Sequence, residues 1–322
     1  MAELVHNLGT GTATRTLRVA RLGRVRFDLT QLADGDGLLT SAGIRCAGVS
    51  AKTLEAWLRS GRLRALHHGV YVPRDLAITP RVTARAAILA TGRSDAVAGY
   101  GTAAGVHDIG VLALTGPPHV IVPVSVHRLS RPDLVVHRRG LAEGDVVDLD
   151  GVRATAVLRT VVDLLGAPGR LAAIWAGEAA LRAGAVPADA LDAAVGARSG
   201  RPYAARMRAW RALMDPRSES PLETAIRLVL HDAGFTAPES QYEVRTRHGH
   251  VVARIDLAWP AMRLALEADG KEPHGRPRPI YTDRWRTNAL VGWRVIRFTW
   301  YDVLRRPAYV VATVRAHLAA AA

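Results

Sequence analysis

Val251-Val252-Ala253-Arg254-Ile255-Asp256-Leu257-Ala258-Trp259, followed after Pro260-Ala261 by Met262-Arg263-Leu264-Ala265-Leu266-Glu267-Ala268-Asp269, decides how this chain is read. Both segments alternate in polarity. Successive side chains of a strand point to opposite faces, so residues two apart share one. Val251, Ala253, Ile255, Leu257 and Trp259 therefore form an apolar face, with Arg254 and Asp256 opposite. Met262, Leu264, Leu266 and Ala268 do the same on the second strand, with Glu267 and Asp269 opposite. Pro260-Ala261 supplies the turn, and the resulting hairpin brings Asp256, Glu267 and Asp269 to one face.

Clustered carboxylates repel, and a raised pKa or a bound cation relieves the repulsion. An all-oxygen site suits Mg²⁺ or Mn²⁺, and such a cation can activate water and offset charge on a phosphate under attack. The plainer alternative is a solvated acidic face balanced by Arg254, Arg263 or Lys271. Upstream, Ser220-Pro221-Leu222-Glu223 has the grammar of a helix start, with Ser as N-cap, Pro first and Glu third. That helix is expected to run to about Ala233 and stop at Gly234. A capping box accounts for Glu223 by itself, but a first helical turn can also face a sheet edge, so the two roles can coexist.

In order along the chain stand Ser220-Pro221-Leu222-Glu223, Arg254-Ile255-Asp256-Leu257-Ala258-Trp259-Pro260, Leu266-Glu267-Ala268-Asp269-Gly270, Asp283-Arg284-Trp285-Arg286-Thr287-Asn288-Ala289-Leu290 and Gly292-Trp293-Arg294-Val295-Ile296-Arg297-Phe298. Residues 217–320 thereby resemble the very-short-patch-repair endonuclease-like family of the PD-(D/E)xK nuclease superfamily. The resemblance implies a restriction-endonuclease-like α-β-β-β-α-β core, with Asp256 and Glu267 as metal ligands and Glu223 as accessory acid. Asp269, added to the ligand set by its shared face, stands where the superfamily pattern has lysine. Lys271, two residues on, could take the lysine's task of steadying the attacking water, or could simply be solvent-exposed. Relatives carry a histidine pair near His274, but here Pro273 occupies its first place. Arg276, Arg278, Arg284, Arg286, Arg294 and Arg297 follow the acidic cluster and could bind flanking phosphates. Trp293 and Phe298 read as core.

Gly37 to Arg74 reads as two short helices and a basic hairpin. Leu38–Ala47 forms the first helix, ended by Gly48. Ser50 caps the second, with a Val49–Leu54 staple, and Ser60-Gly61 stops it. Arg62–Leu66 and Val70–Val72 flank His67-His68-Gly69 as a hairpin. This is the pattern of a winged helix-turn-helix, in which Lys52, Thr53 and Arg59 would face the major groove and Arg62 and Arg64 the backbone. A small helical cap with a solvated charged face is the alternative. Leu38-Leu39-Thr40-Ser41, Gly48-Val49-Ser50, Gly61-Arg62-Leu63 and His68-Gly69-Val70-Tyr71, with Arg159-Thr160-Val161-Val162-Asp163-Leu164 further on, resemble AbiEi-type antitoxin proteins. That resemblance implies promoter-DNA binding and a cognate toxin or defence protein as partner.

The rest of the chain sets bounds. Its 322 residues, 49% hydrophobic, are enough for two or three units, and a net charge of +14 suggests a nucleic-acid partner. Lysine occurs only at 52 and 271, so arginine skew contributes to that charge. Cys46 is the sole cysteine, which excludes an intrachain disulfide and reads as a buried spectator. No apolar run reaches a membrane span, and a cytoplasmic protein is expected. Residues 1–36 read as a flexible basic extension or an overlong start, 37–75 as the winged helix and 76–200 as a mixed α/β middle domain. Residues 201–216 read as a linker helix and 217–322 as the nuclease domain. Within the middle domain, helices are expected near 80–91, 101–108 and 156–195, and strands at 119–124 and 134–137. Gly99-Tyr100-Gly101-Thr102-Ala103-Ala104-Gly105 has one residue too many for a dinucleotide fingerprint. His127, His137, His248 and His250 have no spacing that compels metal binding. The fold expected is thus multidomain α+β and α/β. The function expected is that of a Mg²⁺- or Mn²⁺-dependent deoxyribonuclease; the alternative is a non-catalytic DNA-binding regulator or antitoxin on a nuclease-like scaffold.

Overall fold

The computed structural model describes residues 28–110, 116–126, 132–270 and 290–320. Lys271, His274, Arg276, Arg278, Arg284 and Arg286, most of the basic extension, His127 and the helix expected between the last two strands lie outside them.

Three sheets organise the described residues. The first is built from β1 (Leu39–Thr40), β2 (Leu63–His67) and β3 (Val70–Pro73) in the order β1-β3-β2, and follows a single helical turn, α1 (Leu29–Leu32). Leu38-Leu39, expected to open a helix, instead lead into a strand, because Leu39 pairs with Tyr71 and Thr40 with Val70. The helix α2 (Ser41–Cys46) starts only after Thr40, whose hydroxyl accepts the Gly43 amide hydrogen. Cys46 is exposed rather than buried, since Ile44 takes the inward face of that turn. The helix α3 (Ala51–Arg59) begins as expected at Ser50, whose Oγ accepts from the Thr53 amide at 3.1 Å. Val49, Leu54, Trp57 and Leu58 join Leu39, Ile44 and Leu63 in one small core.

The helix α4 (Pro80–Ala90) is apolar on more than one side. Val82, Ala86 and Ala90 pack on Val70 and Val72, while Ala84 and Ala87 meet the second sheet. Arg81 and Arg85 bind Asp36 and Asp34 on one hand and the Leu149–Gly151 carbonyls on the other. The second sheet runs β6-β5-β4-β8-β7, formed by β4 (Val97–Ala98), β5 (His119–Val122), β6 (Val135–Arg138), β7 (Val146–Leu149) and β8 (Val152–Thr155). Gly99 lies between β4 and α5 (Tyr100–Val106), but β4 and β5 are antiparallel, so this is not the parallel unit a dinucleotide fold uses. Four further helices, α6 (Val157–Gly166), α7 (Arg170–Arg182), α8 (Ala188–Gly196) and α9 (Ala204–Ala212), share the largest core with α5. Met207 and Met214, within the segment 201–216 expected as a linker helix, are buried in that core.

The third sheet runs β12-β11-β10-β9 and follows α10 (Pro221–Asp232). It consists of β9 (Glu239–Arg245), β10 (Val251–Trp259), β11 (Leu264–Ala268) and β12 (Arg294–Phe298), with α11 (Trp300–Arg305) and α12 (Pro307–Ala319) after it. The strands β9, β10 and β11 are mutually antiparallel, and β12 joins β11 in parallel. Leu222, Ile226 and Leu230 of α10 pack with Leu257, Leu266, Phe298, Val310 and Val314.

Two details of the hairpin differ from expectation. Pro260–Met262 is a 3₁₀ turn closed by Arg263 at φ +47°, so the second strand starts at Leu264 and Met262 is exposed. The apolar residues of β10 also do not share one face. Ala253 and Ile255 pack with Tyr242, Ala258, Ala265 and Trp293, whereas Leu257 and Trp259 pack under α10. The changeover falls at Asp256, opposite Gln241, whose φ of +54° bends the neighbouring edge strand.

Candidate functional site

Strand register places the acidic residues. The ladder between β10 and β11 runs from Trp259–Leu264 to Leu257–Leu266, and Asp256 and Glu267 are the next residues on the two strands beyond its last pair. Glu267 in turn pairs with Arg297 on β12. Tyr242–Ile255 and Ser240–Leu257 bracket the rung between Gln241 and Asp256. Register thus leaves Gln241, Asp256 and Glu267 at neighbouring positions on β9, β10 and β11, with Glu267 paired to Arg297 on β12. Where β10 and β11 stop pairing, Asp256 Oδ2 accepts the Ala268 amide hydrogen at 2.8 Å. Asp269 lies past the end of β11, its amide donating to the Phe298 carbonyl at 2.9 Å.

The helix α10 brings the fourth carboxylate. Its N-cap Ser220 Oγ accepts from the Glu223 amide at 3.2 Å, half of a capping box. The other half is redirected: Glu223 Oε2 accepts from the Glu219 amide at 2.9 Å, one residue before the cap, and from Gln241 Nε2 at 2.8 Å. Helix capping therefore accounts for only part of Glu223, whose side chain reaches the sheet edge. It is 4% exposed, and burial pushes its carboxyl above the usual range, with the Asp256 charge adding to the rise and the Ser220, Glu219 and Gln241 bonds opposing it. Arg254 donates to Glu219 at 2.6 Å, placing a cation beside the helix start.

Charged side chains are seldom buried without a compensating group, yet Glu223 and Glu267 are both buried here. Among the described residues no three of His, Cys, Asp and Glu converge as a metal set. The chemistry of the donors nevertheless fits a hard divalent cation. Asp256, Glu267 and Asp269 offer only oxygen, and the buried Gln241 Oε1 has no hydrogen-bond partner among the described residues. Gln241 is the residue that sequence reasoning missed. An isolated glutamine on a strand carries no signal, and its importance arises from a bend visible only in three dimensions.

The N-terminal basic residues divide by what already holds them. Lys52 and Arg59 are exposed on α3, where Arg59 meets Glu55 at 3.5 Å. Thr53 Oγ1 lies 2.9 Å from Ser50 Oγ, within the helix cap. The Arg62 guanidinium sits 5.3 Å from the centre of the Trp57 ring, while Arg64 donates to the Leu76 carbonyl at 2.6 Å. In the middle unit, His119 Nδ1 lies 3.0 Å from His137 Nε2, and the His137 ring stacks on Tyr100 at 4.0 Å. Burial lowers both histidines, His137 to about 4. His137 is thus a packed neutral histidine, and His248 and His250 are exposed.

Two Mycobacterium tuberculosis proteins, the uncharacterized proteins MT2308 and Rv2248 from two strains, are each 30% identical to this chain over 272 residues, covering 84% of it and 97% of their own length. No family model matches the chain. The crystal structure of the RV2827C protein from Mycobacterium tuberculosis shares 16% identity with a TM-score of 0.38, covering 65% of this chain and 83% of that one.

Proposed function

This chain belongs to the family of the mycobacterial proteins MT2308 and Rv2248, and we propose that it is a metal-dependent DNA endonuclease directed to DNA by an N-terminal winged helix. The observation that carries this reading is the placement of Asp256 and Glu267 just beyond the last pair of β10 and β11, with Glu223 reaching Gln241 on the neighbouring strand from the first turn of α10. A fold needs no such arrangement for stability, since each buried carboxylate costs desolvation energy. The order α10, β9, β10, β11, β12 supports a restriction-endonuclease-like core of the very-short-patch-repair endonuclease-like kind. A bound Mg²⁺ or Mn²⁺ would offset the charge that develops on the scissile phosphate and lower the pKa of water. In this reading Asp256 and Glu267 hold the ion and draw in Asp269, which does not converge with them among the described residues, and the protein's own groups orient the reactants around it. Arg297, exposed beside Glu267, is placed to bind a flanking phosphate. The order β1, α2, α3, β2, β3 supports the winged helix, with Lys52, Arg59 and Arg62 as its outward cations.

One feature favours a second reading. Asp269 occupies the position of the lysine that steadies the attacking water in the superfamily pattern, so a DNA-binding regulator or antitoxin that keeps this scaffold without cleavage is the competing proposal. Incubating the full chain with single-stranded, linear and supercoiled DNA, with Mg²⁺, Mn²⁺ or a chelator, separates the two. Cleavage that requires metal and is lost in Glu267→Ala supports the nuclease. Binding without cleavage of any substrate refutes it.

A further inference from the structure

Gln241 combines three observations. Its backbone stands at φ +54°, a left-handed conformation that costs a non-glycine residue energy and persists only where the surroundings impose it. Its amide nitrogen is committed to Glu223 Oε2 at 2.8 Å. Its amide oxygen is buried with no hydrogen-bond partner among the described residues. A buried acceptor left unsatisfied is costly and calls for an explanation.

The orientation of the amide is set by its partner. Glu223 Oε2 already accepts the Glu219 amide hydrogen, so it acts as an acceptor and requires the nitrogen end of the Gln241 side chain. The oxygen end is thereby turned away from Glu223, and the flanking pairs Tyr242–Ile255 and Ser240–Leu257 put Gln241 across from Asp256 on the neighbouring strand. A second carboxylate there would add to the repulsion already felt between Glu223 and Asp256, whereas an amide oxygen donates to a cation without adding charge. Amide carbonyls are ordinary ligands of hard divalent cations.

Resting on the nuclease reading for the presence of the ion, we infer that Gln241 Oε1 is a ligand of a divalent-cation site shared with Asp256, held in place by the bond from Gln241 Nε2 to Glu223. Glu223 is then a positioning residue that fixes the direction of the amide.

The test is Mn²⁺ alone, titrated into the full chain without DNA and followed by calorimetry and by the loss of the free-ion paramagnetic resonance signal. Gln241→Leu removes the oxygen, and is expected to weaken Mn²⁺ binding by about tenfold or more. Gln241→Glu keeps an oxygen ligand but loses the nitrogen that donates to Glu223, and is expected to bind Mn²⁺ less tightly than the wild type and more tightly than Gln241→Leu. If Gln241→Leu does not fold, as judged by circular dichroism, Gln241→Met, which keeps the side-chain length and lacks the hard oxygen, decides: wild-type Mn²⁺ affinity in a folded Gln241→Met overturns the inference. Wild-type affinity in a folded Gln241→Leu also overturns it, while leaving the nuclease reading intact. Mn²⁺ binding that depends on Gln241 in a protein that cleaves no DNA upholds the inference and removes the nuclease reading. No Mn²⁺ binding by the wild type overturns both.

Discussion

Replacing Arg227 by methionine tests how the middle unit fixes the helix that carries Glu223. Arg227 of α10 pairs with Glu178 of α7, whose side chain is 0% exposed. Glu178 also accepts from the Thr224 hydroxyl and from the Asp215 amide at 2.9 Å, and Thr224 is the residue after Glu223. Burial pushes Glu178 up to about 6, against the pull of Arg227 and these hydrogen bonds. The ionised form is therefore the one that folding penalises. Stability is lost as pH rises from the ordinary value of 4.5 through about 6, and that interval corresponds to about 2 kcal/mol. Removing the guanidinium leaves an uncompensated buried carboxylate at alkaline pH, which costs about 3–5 kcal/mol. It also raises the Glu178 pKa further. At pH 5 the carboxyl of the variant is protonated in the folded state, and the deficit should shrink toward about 1–2 kcal/mol, from the Arg227 bonds to Ser218 Oγ and the Leu213 carbonyl. Urea denaturation of both proteins at pH 8 and pH 5 measures the difference, in which groups common to both cancel. An equal deficit at the two pH values would refute the reasoning, because it would mean that the charge on Glu178 does not determine the cost.

Ser220→Ala removes the acceptor for the Glu223 amide and should cost about 1 kcal/mol of stability, read as a lower urea midpoint with unchanged slope. An unchanged midpoint would mean that the Glu219 and Gln241 bonds hold this turn unaided. Arg59→Ala in the full chain should weaken DNA binding and reduce the steepness of log affinity against log salt by about 1. Its Glu55 partner is exposed and 3.5 Å away, a pair worth little and readily exchanged for a phosphate. A salt slope identical to the wild type would place the DNA elsewhere.

The parts of the fold legible in the sequence were those specified locally. Ser50 and Ser220 announced their helices because a cap is a bond between neighbours in the chain, and Gly234 marked the end of α10 through its φ of +78°. Alternation located β10 and β11 and put Asp256 and Glu267 on facing strands. What escaped depends on distant pairing. Leu39 is a strand residue only because Tyr71 lies beside it, and a two-residue strand such as β4 is too short to alternate. The break in the β10 face at Asp256 follows from the bend at Gln241 on another strand. For the same reason the redirected Glu223 carboxylate could not be told from a capping box until the edge strand was in place.

The role proposed for Asp256 and Glu267 is phosphodiester hydrolysis. The most direct measurement follows binding and nicking of supercoiled DNA on the same samples of wild type and Glu267→Gln, with Mn²⁺ and with chelator. Both proteins should bind equally, with nicking confined to the wild type in the presence of metal. Nicking by Glu267→Gln at the wild-type rate, or none by a wild type that binds both DNA and Mn²⁺, would contradict it.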